Sequence, residues 1–170
     1  KLKDLSPADL LPAFRRTNEP QLLARITCDF LLFFMNSPLE QLEHAAAGFK
    51  RMLPDEAQSI FKRNQAEVIR CARQAATDWY RGNKPCPHDF YLKLFHKSGE
   101  FYRVLDSYDM ILADEAQDLS EVMTDALGAS RKRIVIVGDS HQQIYGFRYA
   151  IDAMQRLSSD REYELTLSFR

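Results

Sequence analysis

Two short apolar runs, each ending in a cluster of polar residues, constrain this chain more than any other feature. Met110-Ile111-Leu112-Ala113 closes on Asp114-Glu115-Ala116-Gln117-Asp118, and Ile134-Val135-Ile136-Val137 opens into Gly138-Asp139-Ser140-His141-Gln142-Gln143-Ile144-Tyr145-Gly146-Phe147-Arg148. Apolar runs of this length bounded by turn residues read as buried parallel strands. Their polar ends then lie at the carboxyl edge of one sheet, where open α/β sheets bind ligands.

The residues between and after these runs fit strand-helix-strand order. Val122, Met123 and Leu127 mark a helix with Gly128 as its C-cap, residues 151–157 a second helix, and Tyr163 to Leu167 a last strand. That order predicts a parallel sheet with crossover helices.

Residues 1–97 carry a different period. Ser6-Pro7-Ala8-Asp9 reads as an N-cap with proline at the first helical position. Ser37-Pro38-Leu39-Glu40 reads as a capping box that opens another helix. Asn18-Glu19-Pro20 starts a helix whose Leu22, Leu23, Ile26, Phe30 and Phe33 share a face. Pro54-Asp55-Glu56 starts the longest helix, which Gly82 ends. Turn formers from Gly82 to Pro87 suggest a junction between the two halves. The chain is thus expected to divide into a helical unit, 1–97, and an α/β unit, 98–170.

At about 100° per residue, Phe61, Val68, Ala72, Ala75 and Trp79 fall on one side of the long helix. Lys62, Arg63, Arg70, Arg73 and Arg81 fall on the other. Such a cationic arc suits either a phosphate backbone or plain solvent. Bulk charge does not choose between them, because the net charge is -1 and the isoelectric point is about 6.5. Three widely spaced cysteines, Cys28, Cys71 and Cys86, fit reduced thiols in a cytosolic compartment better than a disulfide framework. No run is long and apolar enough for a membrane span, and the composition, 45% hydrophobic with mixed charge, is that of a globular protein.

A carboxylate at a strand end can hold a magnesium ion, often through water. Its neighbour can deprotonate a water for attack on a phosphoryl group. An acidic pair can equally serve only to oppose a helix dipole. Gln142 on the second loop can hydrogen-bond a phosphate or a catalytic water. Tyr145, Phe147 and Arg148 offer rings and a guanidinium on which single-stranded bases could stack; alternatively, Ile144, Tyr145 and Phe147 could be core residues of a loop folded back on the sheet.

Three segments in order, residues 114–118, 137–148 and 165–170, resemble successive motifs of UvrD/Rep-type superfamily-one DNA helicases. The run His88-Asp89-Phe90-Tyr91-Leu92-Lys93 is similar to the F-box DNA helicase branch. The resemblance implies an α/β fold: a partial RecA-like P-loop NTPase parallel sheet preceded by an all-helical insertion subdomain. It implies ATP and magnesium as cofactors, and single-stranded DNA, a duplex junction and the remainder of a helicase chain as partners. Asp114 would hold the magnesium and Glu115 would be the general base. Gln142 would sense the γ-phosphate, Arg170 would reach it in the transition state, and Phe169 would stack near the adenine. Tyr145, Phe147 and Arg148 would contact DNA, with Phe147 where many relatives carry tryptophan.

A G-x-x-x-x-G-K-[ST] phosphate loop does not occur in these 170 residues. The chain therefore reads as the middle of a motor, expected to be inactive alone and to be cytoplasmic or nucleoid-associated in its parent. A non-catalytic interaction module and the motor part of a helicase-nuclease are the alternatives.

Overall fold

Proline and serine punctuation sets the helical half. In the computed structural model, which describes residues 2–143 and 151–165, α1 spans Pro7–Leu10. Its start is fixed by Asp9, whose carboxylate accepts the Ser6 N–H at 3.1 Å and the Ser6 hydroxyl at 2.8 Å. Helix α2 (Pro20–Asn36) begins on a proline, which fits the first turn because its missing N–H would have no partner there. After α3 (Leu42–Met52) comes α4 (Asp55–Tyr80), the longest element. Gly82, at φ 73°, ends it as expected. Phe61, Val68, Ala72, Ala75 and Trp79 of α4 are all buried.

Phenylalanines from α2, α3 and α4 form the centre of this half. Phe30, Phe49 and Phe61 are at most 1% exposed. Their ring centroids stand 5.3 Å (Phe30–Phe49), 5.3 Å (Phe49–Phe61) and 5.9 Å (Phe30–Phe61) apart. Tilted aromatic pairs at such spacing add about 0.5–1.5 kcal/mol each beyond the area they bury. Helix α5 (His88–Lys97) docks on α2 and closes the cluster, with Phe90 edge-on to Trp79 at 5.2 Å. The turn formers Gly82 to Pro87 fold back on this core: Cys86 is buried in it and pairs with Leu2.

The Ser37 capping box does not open a helix. Ser37 instead ends α2, its hydroxyl donating to the Phe34 carbonyl at 3.0 Å, and α3 starts only at Leu42. A long-range contact decides the matter. Lys93 of α5, 1% exposed, donates from Nζ to the carbonyls of Ser37 (2.6 Å) and Leu39 (2.5 Å). The Ser37–Leu39 backbone is therefore fixed as a turn that accepts the buried ammonium.

Helix α6 (Glu100–Asp106) leads into β1 (Met110–Ala113), α7 (Glu121–Ala129), β2 (Arg133–Ile136) and α8 (Ala153–Arg156). The strands are parallel, in register from Met110 opposite Arg133 to Ala113 opposite Ile136. Among the described residues the molecule is thus mostly helical, with a two-stranded parallel sheet.

The strands are not buried on both faces. Ile111, Ala113, Ile134 and Ile136 pack on a second core cluster with Leu105, Leu127 and Ala153. Met110, Leu112 and Val135 point the other way and are 47%, 69% and 41% exposed. A continuous apolar run fits a strand covered on two sides, but the described helices cover one.

Tyr163 to Leu165, the described part of the expected last strand, forms no ladder. Alternation makes a segment fit for pairing, but only a neighbour makes it a strand. Gly128 is likewise not a cap. It lies inside α7, where an added Cβ would stand 3.1 Å from the Leu157 side chain, so it is small for packing.

The two clusters meet where α7 lies against α5 and α6. Asp125 of α7 accepts the Tyr102 hydroxyl at 2.9 Å and lies 3.0 Å from His96 Nε2. Burial and the bond to Asp125 push the Tyr102 phenol up to about 12.

Candidate functional site

The rim of the sheet is built where the chain leaves β1 and β2. Ladder bonding continues one step past each strand: Val137 N–H donates to Ala113 O at 2.8 Å and Ala116 N–H to Val137 O at 2.9 Å. Both polar loops are thereby held side by side at the carboxyl edge, as the two apolar runs led us to expect.

On the first loop, Asp114 and Glu115 are exposed. Glu115 takes a left-handed backbone, φ 52° and ψ 44°, and no other described non-glycine residue has positive φ. Side-chain-bearing residues adopt that region at a cost and cluster there at functional sites. Asp114 Oδ1 accepts the Glu115 N–H at 2.9 Å and the Glu115 carbonyl accepts the Asp118 N–H at 2.9 Å, so the reversal is held from both sides.

On the second loop, Gly138 passes so close to the first that a Cβ would lie 2.4 Å from Gln117 Oε1 and 3.0 Å from the Ala116 nitrogen. Only glycine fits that approach. Asp139 then organises the turn Ser140–Gln142, accepting Gln142 Nε2 at 2.8 Å and the His141 N–H at 2.9 Å. Those bonds, Gln142 first, hold the Asp139 carboxyl below the usual range. Ser140 donates to Asp152 at 2.5 Å, which ties the loop to the start of α8.

Of the residues singled out from sequence, Asp114, Glu115 and Gln142 are therefore on this rim, with the Gln142 amide engaged by Asp139. Tyr145, Phe147, Arg148, Phe169 and Arg170 lie outside the described residues. The cations of α4 are exposed, yet Arg73 pairs with Glu43 of α3, and Arg70 lies 3.6 Å from Glu67. Acids on and beside the helix thus blunt part of the arc.

Sequence reasoning passed over Gln117. It is 1% exposed and sits between the loops, donating from Nε2 to Glu115 Oε2 at 2.6 Å and accepting the Asp139 N–H on Oε1 at 3.0 Å. No periodicity marks it; the parallel register alone brings Asp139 to it.

The donor set suits a hard cation that keeps other ligands. Asp114 and Glu115 offer carboxylate oxygens, and no group of three or more His, Cys, Asp or Glu gathers among the described residues. Magnesium is commonly bound in this way, through one or two carboxylates with the remaining positions filled by water and substrate phosphates.

Comparison with known proteins agrees with the geometry. Residues 83–162 match the UvrD/REP helicase N-terminal domain. The chain is 34% identical over 146 residues to F-box DNA helicase 1 of Gallus gallus, covering 81% of this chain and 14% of that protein. It is 51% identical over 67 residues to F-box DNA helicase protein 1 of Schizosaccharomyces pombe, covering 39% of this chain and 8% of that protein. The chain thus spans a small part of the curated relatives it matches. No solved structure matches it. Among the described residues no helix is long and apolar enough to cross a membrane. Residues 83–162, which carry the acidic rim and the glycine approach, are thus similar to the UvrD/REP helicase N-terminal domain, and the chain resembles a fragment of a UvrD-like helicase.

Proposed function

We propose that this chain is part of an ATP-dependent DNA helicase that couples MgATP hydrolysis to movement along single-stranded DNA and to duplex unwinding. The observation that carries the reading is the rim itself: an exposed acidic pair after β1, one residue of it in a left-handed backbone, on a loop that Ala116 and Gln117 bond to the chain leaving β2. The names of the relatives, both DNA helicases, point the same way.

In this reading residues 1–97 are a helical insertion subdomain and 98–170 the C-terminal half of a first RecA-like motor domain. Asp114 holds magnesium, which when bound with the nucleotide neutralises phosphate charge. Glu115 takes the proton of the attacking water. Gln142 reports the γ-phosphate to the loop that follows, where Tyr145, Phe147 and Arg148 contact single-stranded bases. Phe169 stacks near the adenine and Arg170 meets the charge that develops on the transferred phosphoryl group.

Phosphoryl transfer depends mostly on positioning, and a backbone cradle with a lysine normally supplies it. These 170 residues contain no phosphate-loop sequence, so the piece alone is expected not to hydrolyse ATP. The test is ATP turnover by the full-length protein and by the 170-residue chain, each with and without single-stranded DNA. DNA-stimulated hydrolysis by the first and none by the second is the expected result. Lack of hydrolysis by the full-length protein would leave an interaction module in place of a motor.

A further inference from the structure

Between the two rim loops lies one side chain that the proposed chemistry has not used. Gln117 is 1% exposed, and both ends of its amide are occupied. Nε2 donates to Glu115 Oε2 at 2.6 Å, Oε1 accepts the Asp139 N–H at 3.0 Å, and its backbone carbonyl accepts Gln143 Nε2 at 2.9 Å. The amide has one permissible orientation. Turned over, it would set its oxygen against the Glu115 carboxylate and its NH2 against the Asp139 N–H, an acceptor facing an acceptor and a donor facing a donor.

We propose that Gln117 is a positioning residue that fixes the Glu115 carboxylate and transmits to it any displacement of the Gly138–Gln143 loop. The inference rests on Glu115 being the general base. The coupling follows from how few adjustments the linkage allows. Glu115 is already in a restricted left-handed backbone, pinned by Asp114 and Asp118, so its carboxylate is aimed chiefly by the side-chain torsions that Gln117 restrains. Gly138 has no Cβ because Oε1 occupies the space where one would stand, 2.4 Å away. The loop therefore cannot shift relative to β1 without moving the amide. A buried amide that lost one partner would be left with an unsatisfied polar group, which favours moving with the loop over letting go. Loop position, and through it whatever engages residues beyond Gln143, is thus read out as the aim of the base.

The experiment uses the full-length protein with Gln117→Met, which keeps the length of the side chain and removes both amide bonds. Hydrogen-deuterium exchange should show the Asp139 amide losing protection while the amides of β2 keep theirs. With single-stranded DNA, kcat for ATP should fall about 100-fold, the loss associated with misplacing a reacting group by about 1 Å, with KM for ATP little changed. The ratio of DNA-stimulated to basal hydrolysis should fall as well; partial unfolding would lower both rates together and leave that ratio alone. Unchanged Asp139 exchange, or an unchanged ratio, overturns the proposal.

Should Gln117→Met fail to fold, Gln117→Glu retains an acceptor for Asp139 but sets a carboxylate against Glu115. Protected Asp139 with reduced kcat then supports the proposal, and normal kcat overturns it. Glu115→Gln, run in parallel, separates the two readings. If it hydrolyses ATP normally, the base assignment fails; if it is inactive while Gln117→Met is normal, only the positioning role fails.

Discussion

The two halves of this molecule are held by different forces. In the helical half, aromatic rings from three helices meet in a dry centre, with Phe30, Phe49 and Phe61 almost fully buried. In the sheet half the strands keep one apolar face open, and the rim is held largely by hydrogen bonds among Asp114, Glu115, Gln117 and Asp139. Dispersion and burial are non-directional and tolerate small shifts, whereas a hydrogen bond weakens steeply with misalignment. The division suits a scaffold on one side and a sensitive mechanism on the other. Changes in the first half should cost stability, and changes at the rim should cost chemistry.

The sharpest way to break this contrast is Glu115→Gln in the full-length protein. ATP binding and the melting midpoint should be preserved while hydrolysis slows by about 10²–10⁴-fold. A large loss of stability with normal turnover per folded molecule would make the rim a structural element. The mirror experiment is Phe61→Ala, expected to cost about 3–5 kcal/mol in denaturant unfolding because three helices lose a shared contact. A cost below about 1 kcal/mol would mean that the aromatic centre is not what holds the helices.

Smaller effects refine the picture. Phe147→Ala should weaken single-stranded DNA binding by about 1–3 kcal/mol if one base stacks on the ring, measured by fluorescence anisotropy. Unaltered affinity with a lowered melting temperature would assign Phe147 to packing. Lys93 tests whether the helical half is as apolar as it looks. Burial lowers its ammonium from 10.5 to about 8. Between those values the folded chain has released a proton that the unfolded chain still binds, so the contribution of Lys93 to stability rises with pH across that window. Wild-type melting should therefore gain on that of Lys93→Met between about pH 8 and pH 10. A constant difference over that range would mean the ammonium titrates normally.

Legibility in the sequence followed the range of the interaction. Helix starts at Pro7, Pro20 and Asp55 could be read because capping is settled within a few residues. The acidic pair and Gly138 could be placed on one rim because short apolar runs with a helix between them imply parallel strands. The Ser37 box misled because its pattern is local while its fate is set by Lys93, 56 positions away. Gln117 was invisible for a related reason: a glutamine after an acidic pair carries no signal until the register places Asp139 on its oxygen. The open sheet face was misjudged because apolar content tells which residues prefer burial, not whether these 170 residues supply the cover.

Trp79, the sole tryptophan of the chain, lies edge-on to Phe90 inside the helical half. Indole emission is consequently a spectroscopic reporter with a built-in bias. Its colour and intensity register the parting of Trp79 on α4 from Phe90 on α5 and are blind to events confined to the rim. In the 170-residue chain a fluorescence melt can certify the scaffold of a Glu115 or Gln117 variant without being perturbed by the substitution. It cannot certify the site, for which a second dye or label on the sheet side has to be introduced.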